Sequence, residues 1–186
     1  EASLYVYVGD TAHPFVVFDY APDHTHKHVH EFLSVYTGFL QADAFPGYDK
    51  LFKDGGPAEA ACWAHARRGF YDARETDPIR GGAALTMIAL LYGIERTMAG
   101  QTPEKVRELR QRHSVPILNS FKEWLETEKR HVLPQSPIGK AIAYASNHWK
   151  ALMLYTEHGV LDIDNTEAER QLRRVAVGRN NFNSCL

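Results

Sequence analysis

Two acidic positions far apart in the chain carry residue types suited to metal-assisted chemistry. Asp43 ends the stretch Phe39-Leu-Gln-Ala-Asp43. Glu169 stands in Asp162-Ile-Asp-Asn-Thr-Glu-Ala-Glu-Arg-Gln-Leu-Arg-Arg174. Cleavage of a phosphodiester needs an activated oxygen nucleophile and a stabilised leaving oxyanion, and two magnesium ions about 3.5–4 Å apart can supply both. Magnesium takes a few hard carboxylate oxygens and keeps water in its other positions, so acids from separate elements suffice and no tight local motif is needed. By spacing alone, residues 162–174 read as a capped polar helix. Asp164 or Asn165 is the N-cap, Glu167 and Glu169 lie in the first turn where the helix dipole favours them, and Arg173 shares a face with Glu169.

Other groupings have plain structural readings. Asp10 falls in a turn and Asp19 near a strand end, where backbone hydrogen bonds or surface exposure account for them. Cys62-Trp-Ala-His65 has two zinc-type ligands but no obvious second pair, so packing of Cys62 and Trp63 with a hydrogen-bonded His65 is the preferred account. Arg67 and Arg68 follow and suit either phosphate contact or a solvated helix face. His24, His26, His28 and His30 alternate along an exposed polar loop. Arg107, Arg110 and Arg112 are interleaved with Glu104 and Glu108, the pattern of a solvated helix face. Arg170, Arg173, Arg174 and Arg179 are denser and flank Glu169, which favours contact with a DNA backbone.

These residues need a scaffold. The 186 residues, 44% hydrophobic and 24% charged, suit one globular core with a subdomain, and the net charge of −2 gives no global nucleic-acid signature. Two cysteines are too few for a disulfide framework and point to a reduced, cytoplasmic setting. No apolar run reaches the roughly 18 residues of a membrane span. Residues 4–8 and 15–20 read as strands of an antiparallel hairpin, and residues 39–43 as a third strand. Residues 30–37 read as a short helix with Phe32, Leu33 and Tyr36 inward, and residues 48–53 as a helical turn. Residues 58–65 suit a short strand running into a helix over 66–74, or one helix from Pro57 onward. From residue 82 the pattern is helical, with Pro103, Pro116, Pro134 and Pro137 as punctuation and an amphipathic helix through Ile138, Ile142, Ala145, Trp149 and Leu152. The last helix covers 165–174. Strands first and helices after make an α+β chain. With no flexible linker, one compact unit is expected.

The three stretches 39–49, 62–70 and 162–174 together resemble the DDE transposases of the insertion sequence 66 family. The motif Asp164-Asn-Thr-Glu-Ala-Glu-Arg-Gln-Leu-Arg173 carries most of the likeness. Leu133-Pro-Gln-Ser-Pro-Ile-Gly-Lys-Ala141 and Val175-Ala-Val-Gly-Arg-Asn180 continue it. The resemblance implies an α+β, ribonuclease-H-like mixed sheet with a long, mostly helical insertion before the final catalytic helix. The first part of that core would be residues 1–81, the insertion 82–160, and the final helix and C-terminal segment 161–186. It implies that Asp43 and Glu169 are catalytic metal ligands, with Glu167 as the fallback. Mg2+ would be the cofactor, Mn2+ its substitute, with two ions in the intact parent.

DNA, as transposon ends and target, would be the partner, met by His65, Arg67, Arg68, Arg170, Arg173, Arg174 and Arg179. A homo-oligomer in the bacterial cytoplasm, without membrane attachment, would be the working state. The family's first aspartate lies upstream of the Tyr5-Val-Tyr-Val8 strand. The chain is therefore expected to be a piece of the catalytic core, inactive alone. A transposase-derived DNA-binding or assembly domain is the alternative.

Overall fold

A computed structural model of the chain describes residues 3–10, 12–22, 27–42, 46–53 and 55–182, with only the backbone described for Pro46 and 175–182. It is a mixed α and β structure in two compact units, residues 1–38, 45–58 and 165–186 in one and residues 39–44 and 59–164 in the other. The absence of a linker led to the expectation of one unit. The chain instead crosses between the two at several short connections.

The first unit is built on a hairpin. Strand β1 (Ser3–Val8) pairs antiparallel with β2 (Val16–Ala21), Tyr5 opposite Asp19. Alternating aromatic and β-branched residues favour this extended pairing. The turn is closed by Asp10, whose Oδ1 accepts from the His13 backbone N–H at 2.7 Å. That bond is the main reason the Asp10 carboxyl lies below the usual carboxylate range. Helix α1 (Lys27–Phe32) starts earlier than the sequence pattern indicated. Its register turns Val29 and Leu33, four residues apart, inward, while Phe32 is 48% and Tyr36 42% exposed. Phe32 instead stacks on the Tyr7 ring at 4.2 Å. A short 3-10 turn follows at Pro46–Tyr48, where the helical turn was expected at 48–53. The long helix α8 (Thr166–Phe182) packs on β1 and runs eight residues beyond the expected end.

The second unit holds the large core. Strand β3 (Phe39–Ala42) pairs with β4 (Ala58–Ala61), and Cys62, in extended conformation, leads directly into α2 (Trp63–Ala73). The strand-then-helix alternative therefore holds, with the helix three residues longer at its start. Helix α3 (Pro78–Thr97) begins at a proline that needs no backbone donor, capped by Asp77, which accepts from the Arg80 N–H. Helices α4 (Pro103–Leu109) and α5 (Val115–Glu128) are joined by a π turn at Arg110–Ser114, so Pro116 opens α5 without breaking the rod. The amphipathic run splits at His148 into α6 (Pro137–Asn147) and α7 (Trp149–Met153). Trp63, Phe70, Phe121, Trp124 and Trp149 form an aromatic cluster, with Ile88, Leu91, Leu118, Ile142 and Leu152 packed around it. Among the described residues the strands form two two-stranded pieces, and no helix is long and apolar enough to cross a membrane.

One buried charge ties this unit to the segment before α8. Arg110 is 3% exposed, where the charge pattern had indicated a solvated face. Its Nε and Nη2 donate to both oxygens of Glu95 at 3.0 and 2.6 Å. Its Nη1 donates to the carbonyls of Tyr155, His158 and Leu161. The π turn lets sequence neighbours reach one loop, since Gln111 also donates to Thr156 O. On a regular helix adjacent side chains diverge by about 100°. Removing one partner of a buried pair strands the other charge. Arg110→Met is expected to lower unfolding stability by roughly 3–5 kcal/mol in urea titration, and Glu95→Gln by clearly less, because the amide still accepts one bond. Equal, small losses for both would show the pair to be unimportant.

Candidate acidic and nucleic-acid-binding site

The segment 162–164, which leads into the acidic helix, is held at three consecutive residues by three different elements. The Asp162 carbonyl accepts from Gln41 Nε2 of β3 at 2.8 Å. The Ile163 carbonyl accepts from the Trp63 backbone N–H at the start of α2 at 3.1 Å. The Asp164 Oδ2 accepts from the Tyr92 hydroxyl of α3 at 2.7 Å. The Trp63 indole, fully buried, also donates to Leu152 O, which is why a Trp rather than a Phe suits this place.

In α8 the Asn165 carbonyl accepts from the Ala168 N–H at 3.0 Å and the Glu169 N–H at 3.5 Å, opening the helix where the sequence placed its cap. Glu167 is engaged locally. Its two oxygens accept from Arg170 Nη1 and Gln171 Nε2, each at 2.6 Å. Glu169 is exposed on the same first turn, as are Arg170, Arg173 and Arg174 further along. Arg170 is thus the basic partner of Glu167.

Asp43 lies outside the described residues, as do His24, His26 and Cys185 and the side chain of Arg179. Gln41 and Ala42, at the end of β3, are the described residues just before it. His65, Arg67 and Arg68 all lie on α2, with Arg67 and Arg68 exposed. Arg68 makes a loose pair with Asp72 at 3.9 Å. His65 lines a cleft of about 270 Å3 with Gly69, Asp72, Lys140 and Tyr144. The structure therefore brings the α2 basic residues together in one unit and Arg170, Arg173 and Arg174 together in the other. Cys62 and Trp63 are completely buried, in keeping with the packing account. Among the described residues no three His, Cys, Asp or Glu side chains converge as a metal group.

A sequence profile described as Transposase IS66 family matches residues 1–185. The chain belongs to the IS66 transposase family. Similar proteins include the uncharacterized proteins y4hP and y4jD of Sinorhizobium fredii (strain NBRC 101917 / NGR234). They are 31% and 29% identical over 94% and 91% of this chain. The chain spans about a third of the length of these relatives, 35% in each case. No solved structure matches it. For an IS66 family chain, Gln41, Tyr92 and Arg110 are the residues sequence reasoning missed. Each acts through a partner more than 14 residues away, which a local pattern does not show.

Burial first, and then the bond to Asp164, lift the Tyr92 hydroxyl well above its ordinary 10.0. A phenol raised in the folded state favours folding below its unfolded value, and that contribution is lost as pH climbs through the folded one. In a spectrophotometric alkaline titration, Tyr92→Phe is expected to leave the native phenolate rise unchanged and to reduce only the amplitude that accompanies alkaline unfolding. A smaller native rise would show Tyr92 to be open to solvent.

Proposed function

We propose that this chain is part of the catalytic core of a transposase, working on DNA in the bacterial cytoplasm, with Asp43 and Glu169 as carboxylate ligands to Mg2+. The observation that supports it best is the bond between Gln41 Nε2 and Asp162 O, which joins residues 121 positions apart. Gln41 stands two residues before Asp43, and Asp162 stands seven before Glu169.

The donor chemistry fits the ion. Magnesium asks for hard oxygens and few of them, and Glu169 offers an exposed carboxylate. A bound Mg2+ would supply charge stabilisation for the attacking and leaving oxygens of an in-line displacement. The protein's part is to orient the strand and exclude competing geometry. Water is the nucleophile in cleavage and the 3′ oxygen the leaving group. The freed 3′ hydroxyl then attacks a target phosphodiester and releases a target 3′ oxygen.

Exposed Arg170, Arg173 and Arg174 on α8 and Arg67 and Arg68 on α2, with His65, are the proposed contacts to phosphates, joined by Arg179. Such contacts fix the register of the duplex without reading its sequence. A homo-oligomer at paired transposon ends is the proposed working assembly.

A ligand that binds only the native state raises its apparent stability by mass action. A thermal-shift titration with Mn2+ is therefore expected to raise the melting temperature of this chain, and Asp43→Ala and Glu169→Ala each to abolish the rise. Identical curves with and without Mn2+ would point to a DNA-binding or assembly domain without a metal site. In duplex-DNA titrations, Arg170→Ala, Arg173→Ala and Arg174→Ala are each expected to reduce the slope of log affinity against log salt by about 0.9. An unchanged slope would remove α8 from the interface.

A further inference from the structure

Among the described residues β2 pairs with β1 alone, so its other side is an open edge. The Gly9 backbone N–H donates to the Phe15 carbonyl at 2.8 Å, which sets the phase of the ladder. Hydrogen-bonded pairs alternate from there through Tyr7–Val17, Tyr5–Asp19 and Ser3–Ala21. The backbone N–H and C=O groups of Val16, Phe18 and Tyr20 therefore point away from β1, and among the described residues they have no partner. The side chains of these three residues are 40%, 44% and 66% exposed. With Val8, Val6 and Leu4, which stand opposite them, they make one face of the hairpin aliphatic and aromatic throughout. The other face carries Tyr7, on which Phe32 stacks, and Asp19, the single charge in β2.

Exposed edges are commonly blunted by lysine, proline or a bulge. Val16-Val-Phe-Asp-Tyr-Ala21 has no lysine or proline, and its register with β1 runs without a bulge. The pattern fits a second copy of itself. Two β2 strands set antiparallel about a two-fold axis at Phe18 place Phe18 opposite Phe18 of the other copy and Val16 opposite Tyr20, so every outward residue is used. Asp19 then stands opposite Val17. An axis at Asp19 would set two carboxylates directly opposite each other, and an axis at Val17 would set Tyr20 against Pro14, which has no N–H to give. Six residues span only about 20 Å, too short an edge for the roughly 1,200 Å2 or more of a permanent complex. The area suits a weak, concentration-dependent dimer.

We propose that the β2 edge is a self-association surface, through which two copies of the chain pair antiparallel at Val16, Phe18 and Tyr20 and form one continuous four-stranded sheet. The pairing gives the proposed homo-oligomer a contact, and it depends on neither the metal ligands nor the phosphate contacts assigned above.

The test uses the full 186-residue chain without metal or DNA. Sedimentation velocity from micromolar to millimolar concentration is expected to pass from monomer to dimer. Amide exchange is expected to slow with concentration at Val16, Phe18 and Tyr20 and to stay constant at Val17 and Asp19, whose N–H groups already face β1. Phe18→Pro removes one outward donor and spares the β1 ladder, and Tyr20→Lys sets a charge on the edge; each is expected to weaken dimerisation about tenfold or more. Leu4→Lys, on the same face but the other strand, should dimerise like the parent chain.

A chain that stays monomeric at millimolar concentration overturns the proposal and leaves oligomer formation on DNA as it stands. A dimer that survives both Phe18→Pro and Tyr20→Lys, or one without the alternation in exchange, lies on another surface and overturns it too. Loss of the dimer in Leu4→Lys would assign the contact to the apolar face and refute pairing at the edge.

Discussion

The buried guanidinium of Arg110 is the constraint on which the helical unit depends. It is charged, 3% exposed, and satisfied by Glu95 on one side and by three carbonyls of the 155–161 loop on the other. Desolvating such a group costs several kcal/mol unless nearly every donor is used, and here Nε, Nη1 and Nη2 all have acceptors. The Tyr155 ring lies under the guanidinium at 4.9 Å and adds a cation–π contact. A loop of this kind, without regular secondary structure after the short 3-10 turn at Leu154–Thr156, would otherwise leave its carbonyls to water. Arg110 turns it into a rigid lead toward Asp162, Ile163 and Asp164.

Three elements that are distant in sequence, β3, α2 and α3, each spend one hydrogen bond on the residues just before the acidic helix. Two of the donors, Gln41 and Trp63, come from the other two stretches that carry the likeness to the IS66 family. Gln41, Trp63 and Tyr92 are thus near the segment 162–164 for a physical reason. Leu133-Pro-Gln-Ser-Pro-Ile-Gly-Lys-Ala141 has a structural role of the same kind. Ser136 caps α6 by accepting from the Gly139 N–H, and a Cβ at Gly139 would lie 2.2 Å from Leu133 O.

Strand alternation made the hairpin and β3 legible in the sequence, and the Asp164 or Asn165 cap the start of α8. β4 and α2 were one of two open alternatives, and the apolar period that marks α6 carries no sign of the split at His148. The π turn was not legible, because Pro116 reads as a break until the chain is seen to absorb it in the second position of α5. Arg110 read as surface because charge interleaving is a one-dimensional pattern, while its burial is decided by Glu95 and the 155–161 loop. In α1 a shift of helix start by three residues moved Phe32 and Tyr36 outward, a register effect that composition cannot fix. Glu169 was selected over Glu167 by family likeness, and the bonds from Arg170 and Gln171 to Glu167 were not legible in the sequence.

The central proposal is that Asp43 and Glu169 are carboxylate ligands to Mg2+. Fe2+ substituted for Mg2+ and driven with ascorbate and peroxide cuts the backbone next to wherever it is bound. Two groups of cuts, around residues 41–45 and 166–171, both suppressed by excess Mg2+, are the predicted result. Cuts confined to the histidines at 24–30, or to one of the two acidic segments, would contradict the account.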